Sequence, residues 1–284
     1  MTRRKKSSPN KSKGKSKRLY IIGLCSTLLM IIVIIGMIKP QSFRTAYHKI
    51  ERAIFKNPQN SSVTFPENEI VGIDISTYQN NINWDSVTFK INPETKRLTK
   101  DPNGENRKVE FVLAKATEGI TIKDPKYLQN KKGAEENGYL FGAYHYFSVT
   151  SDAKQQALHY IETSDLKEGN LIPVLDVEYQ GKLSKEELRK RVLIWLHTVE
   201  NKYNCKPIIY TYVNFQDNIF DTEEFKNYYF WLAHYGVNQP KNECKFWQFT
   251  EEGVVYGITG YVDIDIFQGS RRELNKLKLQ TTQK

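Results

Sequence analysis

Two carboxylates two positions apart, Asp176 and Glu178 in the run Leu171-Ile-Pro-Val-Leu-Asp176-Val-Glu178, are the sharpest chemical signal in the chain. On a β-strand this spacing turns both side chains to one face, with α-carbons ~6.6 Å apart. In an apolar interior the two acids repel each other and one pKa rises. A protonated acid then stands beside an ionised base, the combination that glycosidic cleavage requires. Taken alone, the pair would equally suit a bound metal or a structural arginine.

Two further aspartates sit at the ends of β-rich runs: Asp74 in Gly72-Ile-Asp74-Ile-Ser76 and Asp263 in Val262-Asp263-Ile-Asp265. Plainer readings exist for several of these acids. Asp74 fits a cap on the next turn through Ser76 and Thr77, and Asp265 fits a loop-facing charge. His145 suits a hydrogen-bonded structural role as readily as a chemical one. Tyr78, Tyr144, Tyr146, Tyr212 and Trp247, with Gln248 beside the last, lie at or near predicted strand ends. Flat aromatic walls with polar handles suit sugar rings, although such residues more often belong to a core.

Eight short β-rich runs would have to carry these groups: Ile70–Ser76, Val109–Ala116, Tyr139–Phe147, Leu171–Glu178, Lys206–Val213, Tyr229–Tyr235, Lys245–Thr250 and Tyr261–Phe267. Helical patterns separate several of them, at Pro125–Asn137 before Gly138, at Asp152–Ser164, and at Ser184–Lys202, where Ser184 and Glu187 have capping-box spacing. Alternation of this kind predicts parallel βα units. The last three runs have little helix between them, so the expected fold is α/β, an irregular TIM-like β/α barrel of about eight strands and fewer helices, with its site at the C-terminal strand ends. A polar stretch between Trp84 and Val109, carrying the turn signal Asp101-Pro-Asn-Gly104, reads as an inserted hairpin over about 88–108.

The net charge of +10 belongs to the N-terminus: residues 1–18 hold nine Lys or Arg and no acid, leaving 33 basic against 32 acidic residues. A nucleic-acid-binding face therefore finds no support. Leu19 to Ile38 is an uncharged apolar run, long enough as a helix to cross a ~30 Å hydrocarbon layer. The expected organisation is a basic cytoplasmic tail (1–18), a single transmembrane helix (19–38), a juxtamembrane helix within Gln41–Phe55 and a linker (39–68), a barrel (69–272) and a polar C-terminal tail (273–284). Such a chain would be a single-pass protein of a bacterial cytoplasmic membrane, N-terminus inside and barrel outside. A cleaved signal peptide is the rival reading, but no A-x-A-like site follows the run. Cys205 and Cys244 each precede a predicted strand, with a third between them, so two free thiols are expected rather than a bridge. No cysteine pair has zinc-ligand spacing and no H-E-x-x-H occurs, so no metal or other cofactor is expected.

The ordered motifs VGIDIS, FVLAKATEG, GAYHYF, IPVLDVE, IIYT, WLAHYG, FWQFT and GYVDIDIFQGS, from about Val71 to Ser270, resemble the family 25 glycoside hydrolases. That resemblance implies an N-acetylmuramidase cleaving the β-1,4 bond between N-acetylmuramic acid and N-acetylglucosamine of peptidoglycan, usually with retention. It makes Glu178 the general acid/base and places Asp74, Asp176 and Asp263 around the cleavage site. Whether Asp176 attacks directly or orients the substrate's own N-acetyl group stays open at this stage. Two departures stand out, the hairpin after Trp84 and Asp265 where the family commonly has Asn. A catalytically silent, membrane-anchored scaffold that holds glycan is the alternative from another class, and the full carboxylate set argues against it.

Overall fold

The structure, a computed structural model, describes residues 64–66 and 69–280. The expected basic tail, membrane span and juxtamembrane helix lie outside the described residues. Among the described residues no helix is long and apolar enough to cross a membrane.

Eight strands close into a barrel: β1 (Ile70–Ile75), β2 (Phe111–Glu118), β3 (Leu140–Tyr146), β4 (Val174–Asp176), β5 (Ile208–Tyr212), β6 (Phe230–Ala233), β7 (Phe246–Gly253) and β8 (Val262–Phe267). They follow one another around the barrel in sequence order, and β1 closes it by pairing with both β2 and β8. Helices α1 (Tyr127–Glu136), α2 (Ala153–Ser164) and α3 (Lys185–Tyr203) alternate with β2 to β5. The caps are those the residue types favour: Asp152 accepts the Gln155 N–H and Ser184 accepts the Glu187 N–H. Among the described residues, no helix comparable to α1–α3 connects β6 to β7 or β7 to β8.

One strand departs from the parallel expectation. β8 runs antiparallel to both of its neighbours, β1 and β7. Asp263 therefore reaches the C-terminal rim from the start of its strand, directly opposite Asp74. In a parallel β8 the same residue would sit at the barrel floor. That floor is aromatic: Phe111 and Phe246 meet edge to face at 5.2 Å, and Phe246 and Phe267 at 5.1 Å. The Phe111 ring lies 2.2 Å from where a Cβ on Gly72 would stand, so this position admits no side chain without repacking.

The C-terminal segment is not the polar tail expected from residue 273. Ser270 caps a short helix, α4 (Arg271–Lys276), through a capping box with Glu273. Leu274, Leu277 and Leu279 are buried, and the backbone of Leu277 and Leu279 bonds that of Ile172, Gly169 and Asn170 beneath β4. Three leucines among polar neighbours were enough to dock the segment.

The insertion is also more than a hairpin. Thr88–Ile91 pairs with Glu105–Lys108 and Leu98–Thr99, and also with Val255–Tyr256 from the distant β7–β8 connection. The Asp101–Gly104 turn forms as expected, with the Gly104 N–H on the Asp101 carbonyl at 3.0 Å. Phe89 is fully buried in this small sheet and packs against Phe65, which meets Phe249 of β7 edge to face at 5.4 Å. Cys205 and Cys244 are free, and β6 lies between the strands they precede. Burial pushes their thiols up to about 11 and about 12.

Candidate active site

Strand alternation decides which side chains enter the barrel. Asp74 on β1, Tyr144 and Tyr146 on β3, Asp176 on β4, Tyr210 and Tyr212 on β5, Trp231 on β6, Gln248 on β7 and Asp263 and Asp265 on β8 share the inner face around one mouth, as their mutual contacts show. Glu178 lies just past the end of β4. Its carboxylate accepts the Tyr212 hydroxyl at 3.0 Å and contacts the Asp176 carboxyl. The predicted pairing of Asp176 and Glu178 on one face is what forms.

Asp176 is 5% exposed, and its Oδ1 receives no N–H or O–H donor. Burial first and the Glu178 charge second hold its carboxyl well above the usual range, with Lys115 opposing. Asp74 is 6% exposed. Its Oδ2 accepts the Gln248 amide at 2.7 Å, and the Gln248 carbonyl is in turn held by the hydroxyls of Tyr210, at 2.8 Å, and Tyr235. Burial, then the neighbouring Asp265, pushes Asp74 well above the ordinary carboxylate range. Tyr144 stacks edge-on against Trp231 at 6.2 Å, and burial followed by the charges of Asp74, Asp176 and Asp263 keeps its phenol protonated. Lys115 reaches over the Tyr146 ring at 5.0 Å and pairs with Glu118 at 2.7 Å.

Several expected roles change. The turn after β1 does not take its cap from Asp74: Ser76 and Gln79 cap each other, and the Thr77 N–H goes to Asp124 Oδ2 at 2.8 Å. Asp74 is thereby left to the site. His145 has the opposite parity to Tyr144 and Tyr146 and faces the helices, where it stacks on Trp195 at 5.6 Å. Both Gln156 amide hydrogens are spent on the carbonyls of Ser148 and Ser151, so the Gln156 oxygen must accept from His145 Nε2. Nδ1 then accepts the Thr117 hydroxyl, at 2.7 Å. Burial depresses this histidine to about 3, so it is a neutral structural residue.

Trp247, expected as a sugar platform, also has the wrong parity. It is 1% exposed, packs on Phe249, and donates its indole N–H to the His234 carbonyl at 2.8 Å. No face is left for a ligand. Gln248 is buried, and its amide is committed to Asp74, Tyr210 and Tyr235, so it fastens the site from within. Tyr78 is exposed on the turn after β1, while Tyr146 and Tyr212 are partly exposed at the mouth. From Tyr212 a recess of about 390 Å³ extends along Gln180, Lys185, Asn214, Phe215, Asn218 and Ile219. Asp265, read as a loop charge, is fully buried and accepts the Trp231 indole N–H at 2.8 Å. Tyr210 and Trp231 were missed and Asp265 was given the wrong surroundings, yet stepping two residues along a strand from Tyr212, Ala233 or Asp263 reaches each of them. Among the described residues no cluster of His, Cys, Asp and Glu is arranged to hold a metal ion.

The sequence matches the description "Glycosyl hydrolases family 25" over residues 73–258, a span containing Asp74, Asp176 and Glu178 and ending before Asp263. The uncharacterized protein YegX of Escherichia coli is 41% identical over 209 residues, covering 72% of each chain. An autolytic lysozyme of Clostridium acetobutylicum is 33% identical over 162 residues, 56% of this chain and 49% of that protein. In three dimensions the bacterial lysozyme from Streptomyces coelicolor superposes with a TM-score of 0.65 at 26% identity, over 76% of this chain and 100% of that one. With most of its barrel inside the matched span, the chain belongs to the family 25 glycosyl hydrolases.

Proposed function

We propose that the protein is a lysozyme that hydrolyses the β-1,4 bond between N-acetylmuramic acid and N-acetylglucosamine in peptidoglycan, with retention. The observation that carries the reading is the convergence of Asp74, Asp176, Glu178 and Asp263 on one barrel mouth, in a chain whose relatives include lysozymes. Glu178, partly exposed and steadied by Tyr212, gives a proton to the leaving oxygen and later takes one from water. Asp74 and Asp263 face the positive charge that develops on the sugar ring. The depth of Asp176 supports its orienting the substrate's acetamido group as internal nucleophile over attacking directly.

Incubating the full chain with purified peptidoglycan should release new muramic acid reducing ends, detected after borohydride reduction. New glucosamine reducing ends, or glycan bound without product, would sink the assignment.

The uncharged run Leu19–Ile38 behind nine basic residues supports a single membrane span with the barrel outside. Cleavage would then be confined to wall close to the membrane. The full-length protein should stay in the membrane pellet through an alkaline carbonate wash and leave it only with detergent. Release by carbonate would refute the anchor.

A further inference from the structure

The buried acids of the barrel are satisfied in different ways. Glu118 is neutralised by Lys115 at 2.7 Å, and Asp124 accepts the backbone N–H groups of Thr77 and Lys126. Asp265 has neither kind of partner. It is 0% exposed, one oxygen takes the Trp231 indole N–H, and Oδ2 receives no donor. Across the sheet its register partners are Gly72, which has no side chain, and Gln248, whose amide nitrogen donates to Asp74 Oδ2 and not to Asp265. Asp265 stands two residues along β8 from Asp263, the register partner of Asp74, so it is the diagonal same-face neighbour of Asp74, and the two carboxyls interact.

We propose that Asp74 and Asp265 share a single proton, so that the pair carries one negative charge and Asp265 is a positioning residue that holds Asp74 toward the sugar. A shared proton supplies the donor that Asp265 Oδ2 lacks, and it avoids placing two anions side by side in a water-free layer. The surrounding walls reinforce it. Asp263 on β8 and Asp176 and Glu178 at β4 disfavour a second negative charge, the phenols of Tyr144, Tyr210 and Tyr235 from β3, β5 and the end of β6 are kept protonated and neutral by burial and by these acids, and Lys115 on β2 opposes the acids by lowering Asp176. Burial, then Asp263, raises Asp265 well above its ordinary value, as burial and Asp265 raise Asp74. In this arrangement Asp265 behaves as an amide would, accepting from Trp231 on one side and supplying a hydrogen on the other.

The sign of the pH dependence follows. The folded pair keeps its proton above the pH at which an unfolded aspartate loses one. Its contribution to stability is full at acidic pH and is lost as pH rises through the raised value. Activity falls on the same limb, because the second ionisation removes the hydrogen bond that holds Asp74.

The inference rests on the proposed hydrolase reading, and Asp265→Asn tests it, since an amide offers the same acceptor and donor with no proton to lose. Turnover on peptidoglycan should stay within about threefold of wild type at neutral pH, less than half of one tenfold step in barrier. The alkaline limb of the Asn variant should move to higher pH. Its melting temperature should exceed that of wild type increasingly as pH rises, while Asp265→Leu loses activity at every pH. An alkaline limb unmoved in Asp265→Asn, or an Asn variant as impaired as the Leu one, overturns the shared proton. If the wild type itself releases no product, the hydrolase reading fails, and the melting comparison still decides the proton.

Discussion

Glu178→Gln is expected to lower turnover on peptidoglycan by about 10²–10⁴-fold, the range that general acid catalysis supplies. The amide has the same shape and still accepts the Tyr212 hydroxyl, so neither the strand end nor the mouth is disturbed. It has no proton to give at any working pH. Binding should survive, because Glu178 is charged with moving a proton rather than holding the sugar, and the loss should fall on kcat with KM little changed. Counting muramic acid reducing ends over a range of substrate concentrations separates the two parameters. A variant within about tenfold of wild type would remove Glu178 from the reaction and point to another acid at the mouth.

Asp176→Asn is expected to reduce turnover by about 10²–10³-fold, comparable to removing one preorganised electrostatic contact, while leaving the fold equally or more stable. The two effects have one source. Asp176 is buried beside Glu178 with an oxygen that no donor satisfies, an arrangement unfavourable to the resting protein. An amide removes the repulsion between the two acids together with the charge that the reaction needs. Thermal denaturation alongside the activity assay checks both halves. If activity falls together with a lowered melting temperature, the role of Asp176 would be structural.

Much of the barrel was legible in the chain. All eight strands appear where β-rich runs stood, in the same order, and the three long helices begin within two residues of the segments read for them. The separation of the two free cysteines, on strands either side of β6, followed from strand order alone. The direction of β8 did not. Alternation looks the same whichever way a strand runs, and only its pairing with β1 and β7 sets its sense. Asp263 was thus placed at the right rim through an expectation of parallel strands that would have put it at the other end. Trp247 misled, and His145 stayed undecided between a structural and a chemical role, for a different reason: proximity to a strand end carries no information about face, whereas parity relative to Gln248 or Tyr144 does. The fourth strand of the inserted sheet was out of reach, since Val255–Tyr256 is too short to carry a periodic signal and pairs about 165 residues away in the chain with Phe89 and Thr88. The docking of Leu274, Leu277 and Leu279 was obscured by the charged residues around them.

The pairing of first strand with last has a consequence for the order of events during synthesis. β1 can find β2 early, but its other edge stays bare until residues 262–267 exist, and the inserted sheet likewise waits for 255–256. Closing the barrel therefore needs a long-range pairing that no local contact supplies. Until the closing strand arrives, β1 and β7 each offer an unpaired edge to any other extended chain nearby. A ribosome that stops at the end of the matched span, residue 258, releases an open sheet with two adhesive rims rather than a smaller enzyme.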